Sequence, residues 1–525
     1  MKFLIFGTGE YYSRYKIWFR KNQVLALIDN AKEKQGQFID GIPVIRPENI
    51  SQYDFDAVVI LSFYVRAMRS QLVSLGVAEN KIYHFFDLHD QIYTPAIKRP
   101  VQYYGSAQYY GSAQDYESVQ YCGLAQDYQS AQDYESVQYY GTVQGEAGIL
   151  LLSQDLTLGG PALALYHAAQ VLVKKGYRPV YGSMMDGPLR EILTAERIPV
   201  IVDENLMVRT MRETEWISGF SHVICNTMNF HVFLSDRDIR IPAAWWLHDA
   251  LFFYDGANRK ALERIRADHM KIWSVGPIPE KAIQTFRPDF RVQSLLYGVT
   301  DQADRTDGAG MGGWPDRSDM TDRSGWPDKE SGTDKAGLEK ADRTDAACRV
   351  RFTVIGYIEY RKGQDILLEA IRSLNPDIRQ HAEFFFVGQN TSVMAKEIME
   401  KAAGIPEITI TGPVDRKAID HILRQTDMLV CPSREDPMPT VAAEAMMHGV
   451  PCLVSDVAGT ARYIKNGRDG FVFRSEDADQ LKELIERCIL DRPVWMGRNA
   501  RRIYEEYFSM EAFEKRFMSL FKELG

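Results

Sequence analysis

Residues 428–447 read MLVCPSREDPMPTVAAEAMM, and this stretch decides the fold. Its first four residues, Met428–Cys431, form an apolar run typical of a buried strand, and a proline-rich loop follows. A helix is predicted from about Thr440, because Pro439 suits the first turn of a helix. A strand that leads through a short loop into a helix is the repeating unit of a doubly wound parallel sheet, whose ligands bind at the carboxyl ends of the strands. We therefore expect a ligand site at this loop.

The same alternation of apolar runs and amphipathic stretches fills three blocks of the chain, residues 1–97, 148–301 and 348–525. It predicts the α/β class, with a Rossmann-like domain in each block. The predicted strands are 2–6, 24–28, 57–61, 82–85, 149–153, 179–182, 199–202, 222–226, 244–248, 351–355, 383–387, 408–411, 428–431, 451–455 and 471–473. Residues 492–523 have amphipathic spacing, and we expect this terminal helix to return to the 148–301 block.

Two low-complexity segments separate the blocks. Residues 98–147 contain a hexapeptide repeat of the type VQYYGS and AQDYES, with almost no aliphatic bulk. This composition favours a disordered polar–aromatic linker, with self-association as the alternative. Residues 302–347 are rich in Asp, Gly, Thr, Arg and Lys and read as an acidic insertion without a core of its own.

The bulk composition excludes some functions. The net charge of −9 and the pI of about 5.7 disfavour nucleic acid as a partner, since phosphate backbones select basic surfaces. The six cysteines are scattered, and no apolar run approaches the roughly 20 residues that span a bilayer. We therefore expect a cytoplasmic protein, with peripheral contact to the inner membrane face left open.

The third block offers the groups that a nucleotide sugar needs. Asp436 and Glu444 lie eight positions apart on a loop and a helix, and the free amides of Thr440 and Val441 can face a phosphate. At the end of an earlier predicted strand, Arg361 and Lys362 place two cations before a helix. Each residue alone is more commonly a cap or a solvated surface charge, but their joint position at strand ends favours a diphosphate site.

This block resembles the donor domain of the retaining glycosyltransferases of family 4, which have the GT-B fold of two facing Rossmann-like domains. The resemblance rests on residues 387–388, 411–414, 432–446, 449–451, 456–460 and 466–471. It implies that Glu444 binds the donor ribose, that Asp436 lies by the transferred sugar, and that Lys362, helped by Arg361, neutralises the diphosphate. The loop at Gly388 is expected near the base. The family often has an arginine at the position of Tyr357, and this departure affects the cation pair.

The second block resembles the matching acceptor domain. Gly159 and Gly160 precede a predicted helix and form the loop that the resemblance places against the donor phosphate or the acceptor. His248 follows a predicted strand and is implied to contact the sugar or to position the acceptor. The alternative for His248 is a satisfied core histidine beside Trp245 and Trp246.

The first block begins with a strand, Gly7-Thr8-Gly9 and a helix, and Asp29 ends the second strand. This is part of a dinucleotide-binding fingerprint, but Tyr12 replaces its third glycine. An NAD-type ligand at Gly7, Gly9 and Asp29 is therefore one hypothesis. The alternative is a vestigial or protein-binding domain tethered by the repeat.

Together these observations predict a glycosyltransferase that uses a UDP- or GDP-sugar and a saccharide or lipid-linked acceptor in the synthesis of a cell-surface polysaccharide or glycolipid. We expect no further cofactor and no metal. The resemblance implies retention of the anomeric configuration. The alternatives are a sugar-nucleotide epimerase or hydrolase on the same fold, and a non-catalytic subunit that binds nucleotide sugars.

Overall fold

The computed structural model describes residues 1–19, 23–62, 64–87, 101–104, 142–143, 146–302 and 349–525. Its main sheets are built mostly of parallel strands with helices between them, so the predicted α/β class is confirmed. Most of the repeat and the acidic insertion at 302–347 lie outside the described residues. No helix within the described part of the chain is both long and apolar enough to cross a bilayer.

The N-terminal sheet has six strands in the order β3-β4-β2-β1-β5-β6. The strands are β1 Phe3–Phe6, β2 Val24–Ile28, β3 Phe38–Ile39, β4 Ile42–Ile45, β5 Ala57–Ile60 and β6 Ile82–His84. Strand β1 is fully buried and pairs in parallel with β2 and β5. The carboxyl ends of β1 and β2 bring Gly7 and Asp29 to one edge of the sheet.

The second sheet has eight strands in the order β16-β15-β14-β13-β10-β11-β12-β7. The strands are β7 Gln102–Tyr104, β10 Ile149–Ser153, β11 Pro179–Ser183, β12 Val200–Val202, β13 His222–Asn226, β14 Ala243–Leu247, β15 Met270–Ser274 and β16 Val292–Ser294. A separate two-stranded sheet is formed by β8 Thr142–Val143 and β9 Glu146–Ala147.

The interpretation of the whole repeat as a disordered linker is wrong at its first residues. Strand β7 pairs antiparallel with β12, so that Tyr103 faces Ile201 across the ladder. Tyrosine has a high preference for strands, and β7 satisfies the otherwise open backbone groups at the edge of the sheet. The repeat therefore starts as part of the second sheet.

The third sheet has six parallel strands in the order β19-β18-β17-β20-β21-β22. The strands are β17 Val350–Ile355, β18 Ala382–Val387, β19 Ile408–Thr411, β20 Met428–Cys431, β21 Cys452–Ser455 and β22 Gly470–Phe473. The order reverses between β17 and β20, which are neighbours although β17 is first in the chain. Such a reversal opens a crevice at the carboxyl ends of the two strands, and in doubly wound sheets ligands bind there.

The α-helices lie in the connections between these strands, except for the last three, which follow β22. They are α1 Glu10–Tyr15, α2 Val65–Ser74, α3 Gly160–Lys174, α4 Leu189–Ala195, α5 His231–Leu234, α6 Arg259–Arg264, α7 Pro277–Phe286, α8 Gln364–Arg372, α9 Pro376–Arg379, α10 Val393–Ala402, α11 Arg416–Arg424, α12 Thr440–Met447, α13 Ala478–Asp491, α14 Met496–Ile503 and α15 Met510–Phe521.

The described residues form two compact units, one of Met1–Gly298 with Phe513–Gly525 and one of Val299–Ala512. Residues 513–523 of the predicted terminal stretch thus belong with the first unit, whereas its residues 492–512, also expected to return to the 148–301 block, belong with the second unit. Phe513 stacks on Trp246 at 5.9 Å, Phe517 meets Trp273 edge-on at 6.1 Å, and Glu514 pairs with Lys174 at 2.6 Å.

The N-terminal sheet shares a core with the second sheet within the first unit. Phe86 meets His231 edge-on at 4.6 Å, and the Asn258 amide group donates to the Phe86 carbonyl at 3.3 Å. His84 is 3% exposed and packs so closely that a Cβ on Gly256 would lie 2.5 Å from its ring. The N-terminal domain is therefore packed against the second sheet and not merely tethered by the repeat.

Candidate functional site

The loop after β20 carries a close ion pair. Lys362 Nζ lies 2.6 Å from Asp436 Oδ2, and the Asp436 side chain is only 7% exposed. Lys362 comes from the short turn Tyr360–Lys362 that follows β17, so the two adjacent strands β17 and β20 each deliver one partner. A buried carboxylate needs such a partner, since an unpaired buried charge is costly. The structure thus brings together the two residues that the sequence places at the diphosphate and the sugar.

A glycine fixes the distance between these two segments. Gly363 has φ +67°, and a Cβ at this position would lie 1.9 Å from the carbonyl oxygen of Pro432. Only a residue without a side chain permits this approach. The loop that holds Asp436 and the turn that holds Lys362 are therefore in direct backbone contact.

Arg361 does not stand beside Lys362 as a second cation at Asp436. Its guanidinium donates to Glu359 Oε1 at 2.7 Å and to the Glu435 carbonyl at 3.1 Å, and its own carbonyl accepts from the Arg434 amide at 2.8 Å. These contacts hold the loop before Asp436. Tyr357, at the position where the family often has arginine, is 41% exposed.

Glu444 is the second buried carboxylate of the site, and its partner was not predicted. It lies on α12 and is 6% exposed, and its Oε1 accepts a short hydrogen bond from Nη2 of Arg416. Arg416 opens α11 directly after Asp415, whose side chain caps the helix by accepting from the Ala418 amide at 2.8 Å. An aspartate such as Asp415 is a common helix cap, so the sequence can indicate where α11 starts. The contact between Arg416 and Glu444 is visible only in the folded structure.

Helix α12 begins with its amides toward the same loop. Its N-cap is Pro439, which makes no side-chain cap. In the described residues, the amides of Thr440 and Val441 have no hydrogen-bond acceptor. Amides at a helix N-terminus favour anions, so this position can take a phosphate.

A small recess lies between the ends of β17 and β20 and the start of α12. Its polar lining includes Lys362, Asp436 and Gln364, and its walls include Val430 and Cys431. Gln364 is 1% exposed; its amide donates to the Tyr357 carbonyl at 3.0 Å, while its Oε1 has no partner in the described chain. Gln364 is thus a polar residue of the site that the sequence did not reveal.

Cys431 and Cys452 lie on the neighbouring strands β20 and β21. Both are buried, and burial raises the pKa of the Cys431 thiol to about 12. Cys431 therefore remains a protonated thiol at neutral pH, so it is a poor nucleophile and only lines the recess.

Gly388 lies at the end of β18 with φ +143°, and a Cβ there would lie 2.1 Å from the carbonyl oxygen of Gly356. The glycine is required by the close approach of two strand ends. Contact between this loop and a nucleotide base stays a prediction.

The first unit holds Gly159, Gly160 and His248 at the carboxyl edge of the second sheet. Gly159 is the N-cap of α3, and the buried side chain of Asn226, at the end of β13, donates to the Pro161 carbonyl at 2.7 Å. The Oδ1 of Asn226 has no partner within the described ranges, and sequence reasoning missed this residue.

His248 follows β14 and packs its ring 4.6 Å from Trp246. Its Nε2 is enclosed and has no partner in the part of the chain that the structure describes. Burial lowers the pKa of His248 to about 3, so the ring is neutral at pH 7. The next residue, Asp249, accepts from the Met228 amide at 2.6 Å, and burial raises its pKa to about 6.

In the N-terminal sheet, Asp29 is already engaged by its own neighbours. It accepts from Thr8, from the Ala31 amide at 2.9 Å and from Lys34 Nζ at 3.3 Å. Burial opposes ionisation, but these hydrogen bonds outweigh it and lower the pKa of Asp29. Gly7 is required because a Cβ would lie 2.6 Å from the Leu61 carbonyl oxygen, whereas Gly9 borders open space. An Asp29 held in this way is less available to a ribose than a dinucleotide site requires.

Two parts of the chain are similar to known protein families. Residues 348–507 match the family model "Glycosyl transferases group 1", and residues 1–83 match "C2185-like, N-terminal". The lipopolysaccharide glucosyltransferase WaaG of Escherichia coli K12 is 28% identical over 144 residues, which are 27% of this chain and 38% of WaaG. An Escherichia coli UDP-Gal:alpha-D-GlcNAc-diphosphoundecaprenol alpha-1,3-galactosyltransferase is 34% identical over 87 residues, 16% of this chain and 22% of that enzyme.

Among solved structures, HepE of Anabaena in complex with UDP and glucose superposes with a TM-score of 0.55 at 18% identity, covering 72% of this chain and 99% of HepE. This likeness supports the fold. The chain spans less than two fifths of the length of the first two curated relatives it matches. Residues 348–507, which include the Lys362–Asp436 pair and Glu444, are thus the part of the chain that is similar to the glycosyl transferases group 1 model.

Proposed function

We propose that the protein is a retaining glycosyltransferase of family 4, which moves a sugar from a UDP- or GDP-sugar to a saccharide or lipid-linked acceptor. The observation that carries this proposal is the Lys362–Asp436 pair at 2.6 Å, set beside the free amides of α12 and the buried Glu444. The cation and the helix amides suit a diphosphate. Of the two carboxylates, Asp436 suits the sugar and Glu444 suits the ribose.

Lys362 and the amides of Thr440 and Val441 stabilise the negative charge that builds on the leaving diphosphate. Fixed donors at such a charge supply a large part of a transferase's rate enhancement. Asp436 then has two tasks, since it holds Lys362 in place and accepts hydrogen bonds from hydroxyls of the transferred sugar. The anomeric carbon is attacked from the face that the leaving group departs, and the diphosphate oxygen takes the acceptor's proton.

The names of the relatives support a uridine donor. HepE was solved with UDP and glucose, and the galactosyltransferase of Escherichia coli is named for UDP-Gal and for an acceptor linked to diphosphoundecaprenol. We therefore propose UDP-sugars as the preferred donors. We propose lipid-linked and free saccharides equally as acceptors, in cell-surface polysaccharide or glycolipid synthesis.

On the acceptor side we assign Gly159, Gly160 and His248. A neutral His248 accepts or donates one hydrogen bond without adding charge, which suits a sugar hydroxyl. Asn226 ends β13, and Asp249 follows His248 after the neighbouring strand β14. We assign no dinucleotide to the N-terminal domain, because Asp29 is already hydrogen-bonded to Thr8 and Lys34.

We further propose that the protein works in the cytoplasm and touches the inner membrane face. Leu490, Val494 and Trp495 are 64%, 58% and 57% exposed, and Arg498 and Arg502 are exposed on the helix that follows. Exposed aromatic and aliphatic side chains beside arginines suit an anionic lipid surface. Sedimentation with anionic vesicles tests this, and we expect Trp495→Ser to reduce binding while Val393→Ser, at a residue that is 75% exposed, does not.

The deciding experiment incubates the protein with a panel of UDP- and GDP-sugars and measures nucleotide release with and without saccharide or lipid-linked acceptors. Glu444→Ala is expected to lose donor binding about tenfold or more, whereas Glu483→Ala, at an exposed carboxylate of α13, is neutral. Absence of binding or release with every donor would refute the proposal. Interconversion of the sugar without an acceptor would favour an epimerase, and binding without turnover would favour a non-catalytic subunit.

A further inference from the structure

The ion pair between the exposed Arg416 and the buried Glu444 has unused hydrogen-bonding capacity on both partners. Only Oε1 of Glu444 is engaged, and in the described residues its Oε2 has no partner, although the side chain is just 7% exposed. Arg416 uses Nη2 for this contact and is 45% exposed. A guanidinium has five N–H donors, so several remain. One open acceptor therefore lies beside several open donors.

This pattern is complementary to a cis-diol. Each hydroxyl of a diol donates one hydrogen bond and accepts others, so a carboxylate oxygen next to a guanidinium satisfies both hydroxyls at once. The ion pair also holds Glu444 in one orientation, because the charge-assisted bond fixes Oε1 and leaves Oε2 directed elsewhere. A carboxylate alone would accept from a diol but could not donate to it.

We propose that Arg416 is a specificity-determining residue that reads the donor's ribose together with Glu444, so that the site requires both the 2′- and the 3′-hydroxyl. Glu444 Oε2 accepts from one hydroxyl, and Arg416 donates to the other. This inference rests on the proposed function, since it assigns the ligand class of the same site as nucleoside diphosphate sugars with an intact ribose.

The expected preference for the ribonucleotide donor can be estimated from the hydrogen bonds that the charged groups Glu444 and Arg416 would make to the ribose. A hydrogen bond to a charged group is worth enough to change binding by roughly tenfold to a hundredfold. A site built around a substrate hydroxyl also rejects the analogue that lacks it, because its own polar groups are left unpaired. We expect the wild-type protein to prefer the ribonucleotide donor over the 2′-deoxy and 3′-deoxy donors by this factor.

The test measures the dissociation constants of UDP-glucose, 2′-deoxy-UDP-glucose and 3′-deoxy-UDP-glucose by calorimetry. Arg416→Gln should weaken the ribonucleotide donor and bring its affinity close to that of one deoxy donor, so that the preference falls by roughly tenfold or more. Lys417→Gln is the matched control, since Lys417 is the next residue, carries the same charge and is exposed. Thermal melting checks folding, and Arg416→Lys, which keeps the charge but loses the planar fork, should restore only part of the preference.

Two results would overturn this inference and leave the proposed function standing. One is a wild-type protein that binds UDP-glucose but does not distinguish it from either deoxy donor. The other is an Arg416→Gln variant that binds all three donors more weakly by the same factor. If the wild-type protein binds no member of the wider UDP- and GDP-sugar panel, the proposed function fails as well, and the two failures are thus distinguished.

Discussion

Replacing Gly363 with alanine is the sharpest perturbation that the structure offers at the donor site. The new Cβ would lie 1.9 Å from the Pro432 carbonyl oxygen, whereas real Cβ contacts stay above 3.0 Å. The turn that holds Lys362 and the loop that holds Asp436 must therefore separate by at least 3.0 − 1.9 = 1.1 Å. A displacement of about 1 Å between catalytic groups costs on the order of a hundredfold in rate.

The assay compares kcat/KM for UDP-glucose turnover with the thermal midpoint. Gly404→Ala is the matched control, because Gly404 also has a positive φ, +88°, but a Cβ there meets nothing within 4 Å. Both variants place alanine in the left-handed region, at a cost of about 1–2 kcal/mol. We expect the two variants to share that loss of stability, while only Gly363→Ala loses activity about a hundredfold. Equal activity of the two variants would refute the account of backbone contact at Pro432.

Three further results are expected. Lys362→Met leaves Asp436 buried without a partner and should lower the free energy of unfolding by about 2–3 kcal/mol; adding Asp436→Asn should recover part of this loss in urea titrations, and simple additivity would contradict the pairing. Burial lowers the pKa of His84 to about 3 and that of His231 to about 4, so both stabilise the first unit fully above the unfolded pKa of 6.5 and lose that contribution as pH falls. We expect about 2 kcal/mol of destabilisation per histidine at pH 5, measured by chemical denaturation across pH, and a flat profile between pH 7 and 4 would contradict it. Phe517→Ala should cost about 3–5 kcal/mol in unfolding free energy, since the ring is fully buried against Trp273; a loss under 1 kcal/mol would show that the terminal helix is not docked.

Much of the fold was predictable because buried parallel strands leave continuous apolar runs. Strands 24–28, 149–153, 222–226, 408–411 and 428–431 were predicted with the bounds that the structure gives. Among the strands that were missed, β3 has only two residues, β4 contains Pro43, β15 contains Lys271, and β16 is short and only partly buried. Where a strand's pattern is interrupted by polar residues, the period alone does not separate it from a loop.

The site was predictable only where its parts are close in sequence or belong to one motif. Asp436 and Glu444 are eight positions apart on one strand–loop–helix unit, which the local pattern reveals. Arg416 is 28 positions from Glu444 on a different helix, and the open Oε1 of Gln364 depends on the packing around it. Contacts of this kind are set by tertiary structure, and no spacing rule in the sequence encodes them.

The first unit is formed by two stretches of chain, Met1–Gly298 and Phe513–Gly525, which the ribosome makes at different times. Its final helix, which covers Trp246 and Trp273, leaves the ribosome only after the 214 residues of Val299–Ala512. At roughly 5–20 residues per second, that interval lasts on the order of ten to forty seconds. During this time the nascent chain lacks Phe513 and Phe517, which pack on Trp246 and Trp273 in the described structure. Chaperone capture should therefore concentrate in this window, and a premature stop between Gly298 and Phe513 should yield an aggregating product rather than a stable first unit.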